Sequence, residues 1–274
     1  MARCSVEIAA QPSASLRFLY NTVPGRIVLK LLTRVWVSRL VGAFMSCPLS
    51  RSLIRPFIRK NHIDMSRYVE GPFPNYNAFF TRRLREAPTF GVGLVSPCDS
   101  KLTAYKIDDS SVFTIKGSEY SLADILEDGE LAASFRDGWC LIFRLAVEDY
   151  HRYSYFDTCT ELRHKYIKGI LHTVQPIALR RHNVYRRNCR EYTVLETAHF
   201  GTAVQVEVGA TCVGRIANLH KSGVHSRGEE KGMFLFGGST ILLLLKSCQI
   251  DRDILENTAA GKETIVHIGE QIGY

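Results

Sequence analysis

Three short polar stretches interrupt the apolar pattern of this chain, and together they could do chemistry. SPCDSK carries Asp99, EDYHRYS carries Asp149 and His151, and FLFGGSTILLLL carries Ser239 directly after Gly237 and Gly238. An acid, a base and a hydroxyl are what a carboxylate–imidazole–serine relay needs. Such a relay is defined by geometry, so the order Asp, His, Ser serves as well as any other. Each residue alone has a plainer reading, since an Asp after Ser-Pro is commonly a turn residue and a lone histidine a hydrogen-bonded structural group. The serine stretch is the oddest. Residues 234 to 245 read as one strand, yet glycines at its centre mark a bulge or a close approach to the backbone. Ser239 lies in an apolar strand and not on an exposed G-x-S-x-G elbow. The structural alternative makes Ser239 and Thr240 strand hydroxyls bonded to neighbouring backbone.

The elements that must position these residues follow from periodicity. Strands are predicted at residues 101 to 107, 139 to 145, 191 to 196 and 203 to 216, where Val204, Val206 and Val208 alternate with Gln205 and Glu207. A short helical insert falls at 121 to 135 and another helical piece at 75 to 84. Gly71-Pro72-Phe73-Pro74 sets a boundary near residue 70. The expected class is α+β: amphipathic helices in residues 1–70, then a mainly antiparallel, sandwich- or barrel-like sheet domain in residues 71–274. The chain has 274 residues, enough for one large domain or two small ones.

Composition excludes disorder, collagen and coiled coil. No Gly-rich phosphate loop offers a nucleotide a seat. The eight cysteines show no C-x-x-C pair, which argues against a zinc site, or any metal, and against a disulfide framework. The first fifteen residues lack the apolar run of a secretory signal, so the thiols are expected to stay reduced. No stretch reaches the ~18 consecutive apolar residues of a spanning helix.

The net charge of +8 is concentrated at one end. Residues 8 to 63 hold nine Lys and Arg and no Asp or Glu; Arg3 and Glu7 cancel, leaving −1 for residues 64 to 274. Arg26, Lys30 and Arg34 recur every fourth residue, as do Arg51, Arg55 and Arg59, with Ile27, Leu31, Leu53 and Phe57 filling other sides. These are basic stripes beside apolar faces, suited to core-packed helices or to an anionic membrane surface, where each basic residue contributes about 1 kcal/mol. The membrane reading is preferred. Nothing points to nucleic acid.

The three polar stretches resemble the signature set of the phosphatidylserine decarboxylase family, in which SPADGK-like, DYHR and GST motifs occur in this order. FFTRRL at 79 to 84, VEVGATCVGRI at 206 to 216, EKGMFLFGGST at 230 to 240 and ETIVHIGEQIG at 263 to 273 extend the likeness, and LRFLYNTVPGR at 16 to 26 is similar to the family's opening. Coverage runs from about residue 16 to the end. Three departures stand out: Ser154 where many members have the second histidine of DYHRxH, Ser100 in place of a common glycine, and Gly237 where leucine is frequent.

The resemblance implies a proenzyme that cuts itself between Gly238 and Ser239. Ser239 attacks the Gly238 carbonyl, His151 takes the hydroxyl proton and Asp99 orients the imidazole; in the later decarboxylation His151 donates the proton, with Asp149 as a helper. Ser239 then becomes a covalent pyruvoyl group, the only cofactor implied, an electron sink for decarboxylation. The implied substrate is phosphatidylserine and the product phosphatidylethanolamine, on a protein peripheral to the cytoplasmic face of a membrane, with its two fragments held together and self-association left open. A free amino acid as substrate, a serine hydrolase using Asp99, His151 and Ser239, and a non-catalytic membrane-binding relative are the alternatives. Arg180, Arg181, Arg186, Arg187 and Arg190 form a basic cluster, read mostly as solvated surface, and Asn188 with Arg190 resembles a family NER-like segment.

Overall fold

The computed structural model describes residues 3–7, 13–115, 118–179, 183–210, 216–219 and 223–274. Near the N-terminus, helices occupy Ala14–Asn21, Val23–Leu32, Val35–Met45 and Ile54–Asn61, with a 3-10 turn at Pro48–Leu53. Local chemistry sets their starts. The Ser13 hydroxyl caps the first helix, and the Thr22 hydroxyl accepts from Gly25 N at 3.0 Å at the start of the second, where Pro24 sits in the first turn and costs no hydrogen bond. The first two helices meet closely at Gly25, where a Cβ would stand 2.0 Å from Phe18 O. Tyr20 and Leu29 anchor this region on Val174, Ala178, Val184 and Ala210. Further along, Ile54 joins Tyr76, Phe79 and Phe80 in a second anchor.

The helical region does not begin at the first residue. Ser5–Glu7 is an edge strand paired with residues 262 to 264, and Arg3 forms ion pairs with Asp251, Asp253 and Glu270.

Among the described residues, nine strands form the main sheet, in the order Ser5–Glu7, Lys262–Val266, Ser100–Lys106, Trp139–Leu145, Ser239–Leu245, Gly201–Val208, Arg190–Thr197, Cys159–Ile167, Val224–His225. Every neighbouring pair is antiparallel. The sheet is covered on both faces: Ile241, Leu243 and Leu245 enter one apolar cluster, Leu242 and Leu244 another. That double coverage explains the unbroken apolar run in Ser239–Leu245. With the helices preceding and the sheet following, the protein is α+β.

Several expected boundaries shift. The helical insert is two short helices, Leu122–Leu126 and Gly129–Ala133, and the 75 to 84 piece contracts to Tyr76–Phe80. Of the strand expected over 203 to 216, Gly201–Val208 is observed, while residues 211 to 215 lie outside the described residues. Most tellingly, residues 234 to 245 are not one strand. Glu230–Phe234 belongs to a separate three-stranded sheet with Ile216–Asn218 and Arg152–Ser154, and Ser239–Leu245 belongs to the main sheet. The chain crosses between sheets over residues 235 to 238, and Gly237 takes φ +127° to turn it.

Candidate active site

Ser239 is the first residue of the central strand, opposite Leu145. Its side chain is fully buried, and so is that of Thr240; neither hydroxyl has a hydrogen-bond partner. The bonded strand-hydroxyl alternative is therefore not what the structure holds. A buried hydroxyl without a partner costs roughly 1–3 kcal/mol, a cost that Ser239 shares with Thr240, Ser38, Ser100 and Thr193.

The backbone twist that the GGS sequence suggests falls on Gly237 and not on Gly238. A Cβ on Gly238 would stand 3.6 Å from Val174 Cγ2 and 3.7 Å from Leu145 O, ordinary contact distances.

His151 is fully buried, with its ring centroid 4.0 Å from that of Phe80. Its backbone O accepts from Phe234 N at 2.9 Å, tying it to the strand that leads into the crossing. The ring Nδ1 bonds to the Asp149 carbonyl O at 2.9 Å, so Nδ1 carries the proton, because a carbonyl can only accept. Nε2 has no hydrogen-bond partner, and the Gly237 backbone lies close enough to influence the ring. Burial pushes the imidazole down to about 3, with the Arg82 charge adding to the effect. At neutral pH the ring is uncharged and able to take a proton.

Asp149 anchors the turn before His151. Its Oδ2 accepts from Ala146 N at 2.7 Å and from Lys101 Nζ at 3.4 Å. Burial raises its carboxyl to about 6, Glu148 adds to the rise and Lys101 opposes it. Arg82, itself nearly buried, donates to Glu148 O at 2.9 Å and packs over Tyr68, which fixes the same turn from below.

Asp99 sits elsewhere than the relay expectation placed it. Its Oδ1 accepts from Ile268 N at 2.9 Å, and its Oδ2 meets Arg67 Nη2 at 3.2 Å and His267 Nδ1 at 3.6 Å. Burial alone would raise this carboxyl, but His267, the Ile268 N–H and Arg67 outweigh it and hold it below the usual range. The same contact raises His267. Asp99 influences His151 only as a charge through space, and the bond that orients the imidazole comes from the Asp149 carbonyl. Asp99 and Asp149 do share a cleft, of about 360 Å³, lined also by Arg67, Lys101, Glu148 and His267. Ser154, in place of the second histidine, is buried and its N donates to Pro97 O at 3.0 Å, bracing the SPCDS turn.

Sequence reasoning missed Phe80, Lys101 and His267. All three stood within motifs already singled out, FFTRRL, SPCDSK and ETIVHIGEQIG, but nothing in a linear motif says which members face the acid or the imidazole. In the 180 to 190 cluster, Arg180 and Arg181 lie outside the described residues. Arg190 is no surface charge: it is buried and donates to Ile125 O, Arg186 O and Asp124 O. Asn188 donates to His172 O at 2.8 Å and to Gly209 O at 2.7 Å, bracing the segment beside Val174.

No group of His, Cys, Asp or Glu among the described residues is arranged to hold a metal. The fold and the site define an α+β protein with a buried, unpartnered serine at the head of a central strand. Comparison with protein families matches residues 76–274 to the family described as Phosphatidylserine decarboxylase. The chain is 45% identical to Phosphatidylserine decarboxylase proenzyme 2 of Clostridium acetobutylicum over 95% of this chain and 92% of that one. It is 41% identical to Phosphatidylserine decarboxylase proenzyme of Ruminiclostridium cellulolyticum over 94% of this chain and 90% of the relative, and 40% identical to that of Clostridium kluyveri over 94% and 91%. The chain belongs to the phosphatidylserine decarboxylase family.

Proposed function

We propose that the chain cuts itself between Gly238 and Ser239 and then decarboxylates phosphatidylserine to phosphatidylethanolamine at a membrane surface. One observation carries the first step: the buried, unpartnered Ser239 hydroxyl directly follows a glycine crossing that borders a neutral, buried imidazole. His151 takes the Oγ proton as Oγ adds to the Gly238 carbonyl carbon; the C–N bond breaks, the amine takes the proton and an ester links Gly238 to Ser239. Loss of the Ser239 α-proton then breaks the ester C–O bond. Gly238 leaves as a carboxylate and residue 239 becomes dehydroalanine, whose imine tautomer exchanges ammonia for water to give a pyruvoyl terminus. That group supplies an electron-accepting carbonyl for the loss of CO₂. The residues fit it: residue 239 is sealed from solvent, and Asp149, its carboxyl raised to about 6 beside Lys101, can hold and return a proton in the cleft it shares with Asp99.

The membrane role rests on a surface. Ten of the sixteen exposed large apolar side chains among the described residues fall between Phe18 and Leu53. Val23, Ile27 and Leu31 form one outward stripe at i, i+4, i+8, and Trp36, Leu40 and Phe44 form another, among exposed Arg26, Lys30, Arg34, Arg39, Arg51 and Arg55. No helix among the described residues is long and apolar enough to cross a membrane, in keeping with peripheral attachment. We assign residues 1–70, apart from the edge strand, to this attachment, and residues 71–274 to catalysis. The seven described cysteines are all free, which suits the reducing, cytoplasmic face.

Intact mass tests the first step: fragments of residues 1–238 and 239–274, the smaller with a blocked terminus. Ser239→Ala should leave one full-length species and His151→Ala should cut slowly; a cut Ser239→Ala chain would overturn the mechanism. The processed protein should release CO₂ from phosphatidylserine in mixed micelles faster than from free serine, because binding energy from phosphate and glycerol holds the reacting carboxylate in place. Faster turnover of free amino acids would remove the lipid and leave self-cleavage standing.

A further inference from the structure

The crossing over residues 235 to 238 is held at one backbone point by a side chain that the chemistry does not use. Phe236 N donates to Asn77 Oδ1 at 3.2 Å. The other end of that carboxamide is also fixed, since Asn77 Nδ2 donates to Ser46 Oγ at 2.8 Å and to Gly42 O at 3.4 Å, both at the end of the helix Val35–Met45. The Phe236 ring is clamped edge-on by Tyr76 at 5.0 Å and Phe80 at 5.5 Å, the neighbours of Asn77 in its short helix. Phe80 in turn packs on His151. Between Phe236 and the nucleophile stand only Gly237 and Gly238, the two residues with the most backbone freedom.

A carboxamide does not titrate and is no nucleophile, so its use here is to restrain. We infer that Asn77 is a positioning residue for self-cleavage: it pins the Phe236 N–H so that the Gly237-Gly238 backbone stays where Ser239 can attack. This rests on the self-cleavage reading above. With the pin released, the two glycines spread over conformations that carry the Gly238 carbonyl away from Oγ, and the cut slows although every reacting group remains.

The test follows cleavage in time during cell-free synthesis of the full chain. Asn77→Leu removes the acceptor and should slow the cut about tenfold or more, the scale on which small misplacements of reacting atoms act. Asn77→Asp keeps an oxygen for Phe236 N and for the Ser46 hydroxyl while losing the donation to Gly42 O, and should cut within about threefold of the parent. Melting of each variant in the Ser239→Ala background reports the fold separately, and the two should melt alike. Should Asn77→Leu fail to fold, Asn77→Ala takes its place with the same expectation. A parent-like rate for the leucine or alanine variant overturns the inference, as does an aspartate variant as slow as the leucine one. Cutting in Ser239→Ala alone would instead remove the self-cleavage reading, so the two failures are distinguishable.

Discussion

His151 and Asp149 are two residues apart, and burial moves their protons in opposite senses. The imidazole falls from 6.5 to about 3 and the carboxyl rises from 3.8 to about 6. Between about pH 4 and 6 the unfolded chain therefore holds a proton on His151 and none on Asp149, and the folded chain the reverse. Stability gains with rising pH through the histidine, since the unfolded state binds the extra proton, and loses through the aspartate by a similar amount. The two slopes cancel. Asn at position 149 keeps an acceptor for Ala146 N but cannot titrate, so Asp149→Asn should unmask the histidine slope. Measured by urea unfolding in the Ser239→Ala background, its stability relative to the parent should climb by about 1.4 kcal/mol per pH unit between pH 4 and 6. A pH-independent difference would show that Asp149 ionises at its ordinary pH in the folded chain.

At the scale of elements, the site is a crossing between two sheets, and its glycines differ in what they do. Gly237 sits at φ +127°, where a side chain is strained, while Gly238 has ordinary contact space for a methyl group. In the Ser239→Ala background, Gly237→Ala should lower stability by about 1–3 kcal/mol and Gly238→Ala by less. Equal losses in thermal melts would mean that the crossing relaxes. This difference was not legible in the sequence, where GGS reads as an interruption of one strand; periodicity reports which residues alternate and not that the chain changes sheets. The strands 100–106, 139–145 and 190–197 were legible because each combines β-branched or aromatic residues with burial on the sheet. Ser239 and His151 were visible as polar groups in apolar runs. The partner of Asp99 was not: the contact spans residues 99 and 267, and local spacing carries no signal of so distant a pairing.

On the scale of the whole molecule, the proposed cut would free a small piece that is woven into the large one. Its first strand lies between Trp139–Leu145 and Gly201–Val208, its strand Lys262–Val266 lies between Ser5–Glu7 and Ser100–Lys106, and buried Glu263 accepts from Arg144 Nε at 2.7 Å. The main sheet thus holds the two pieces together, and the exposed faces of the outer helices are left to serve attachment. Their apolar stripes and basic side chains contribute differently: burying a large apolar side chain is worth about 1.5–3 kcal/mol whatever the lipid charge, whereas each basic residue gains about 1 kcal/mol on anionic lipid only. Arg51→Glu with Arg55→Glu and Arg59→Glu should therefore cut binding to anionic vesicles by a hundredfold or more, about 1 kcal/mol for each charge lost. On neutral vesicles the same variant should bind nearly as the parent does. Trp36→Ser with Leu40→Ser should weaken both, and high salt should weaken only the anionic case. Intact mass should show cleavage unchanged in both variants, since all five side chains are exposed. Vesicle sedimentation reads the outcome, and parent-like binding of the triple variant to anionic vesicles would strip the arginines of this role.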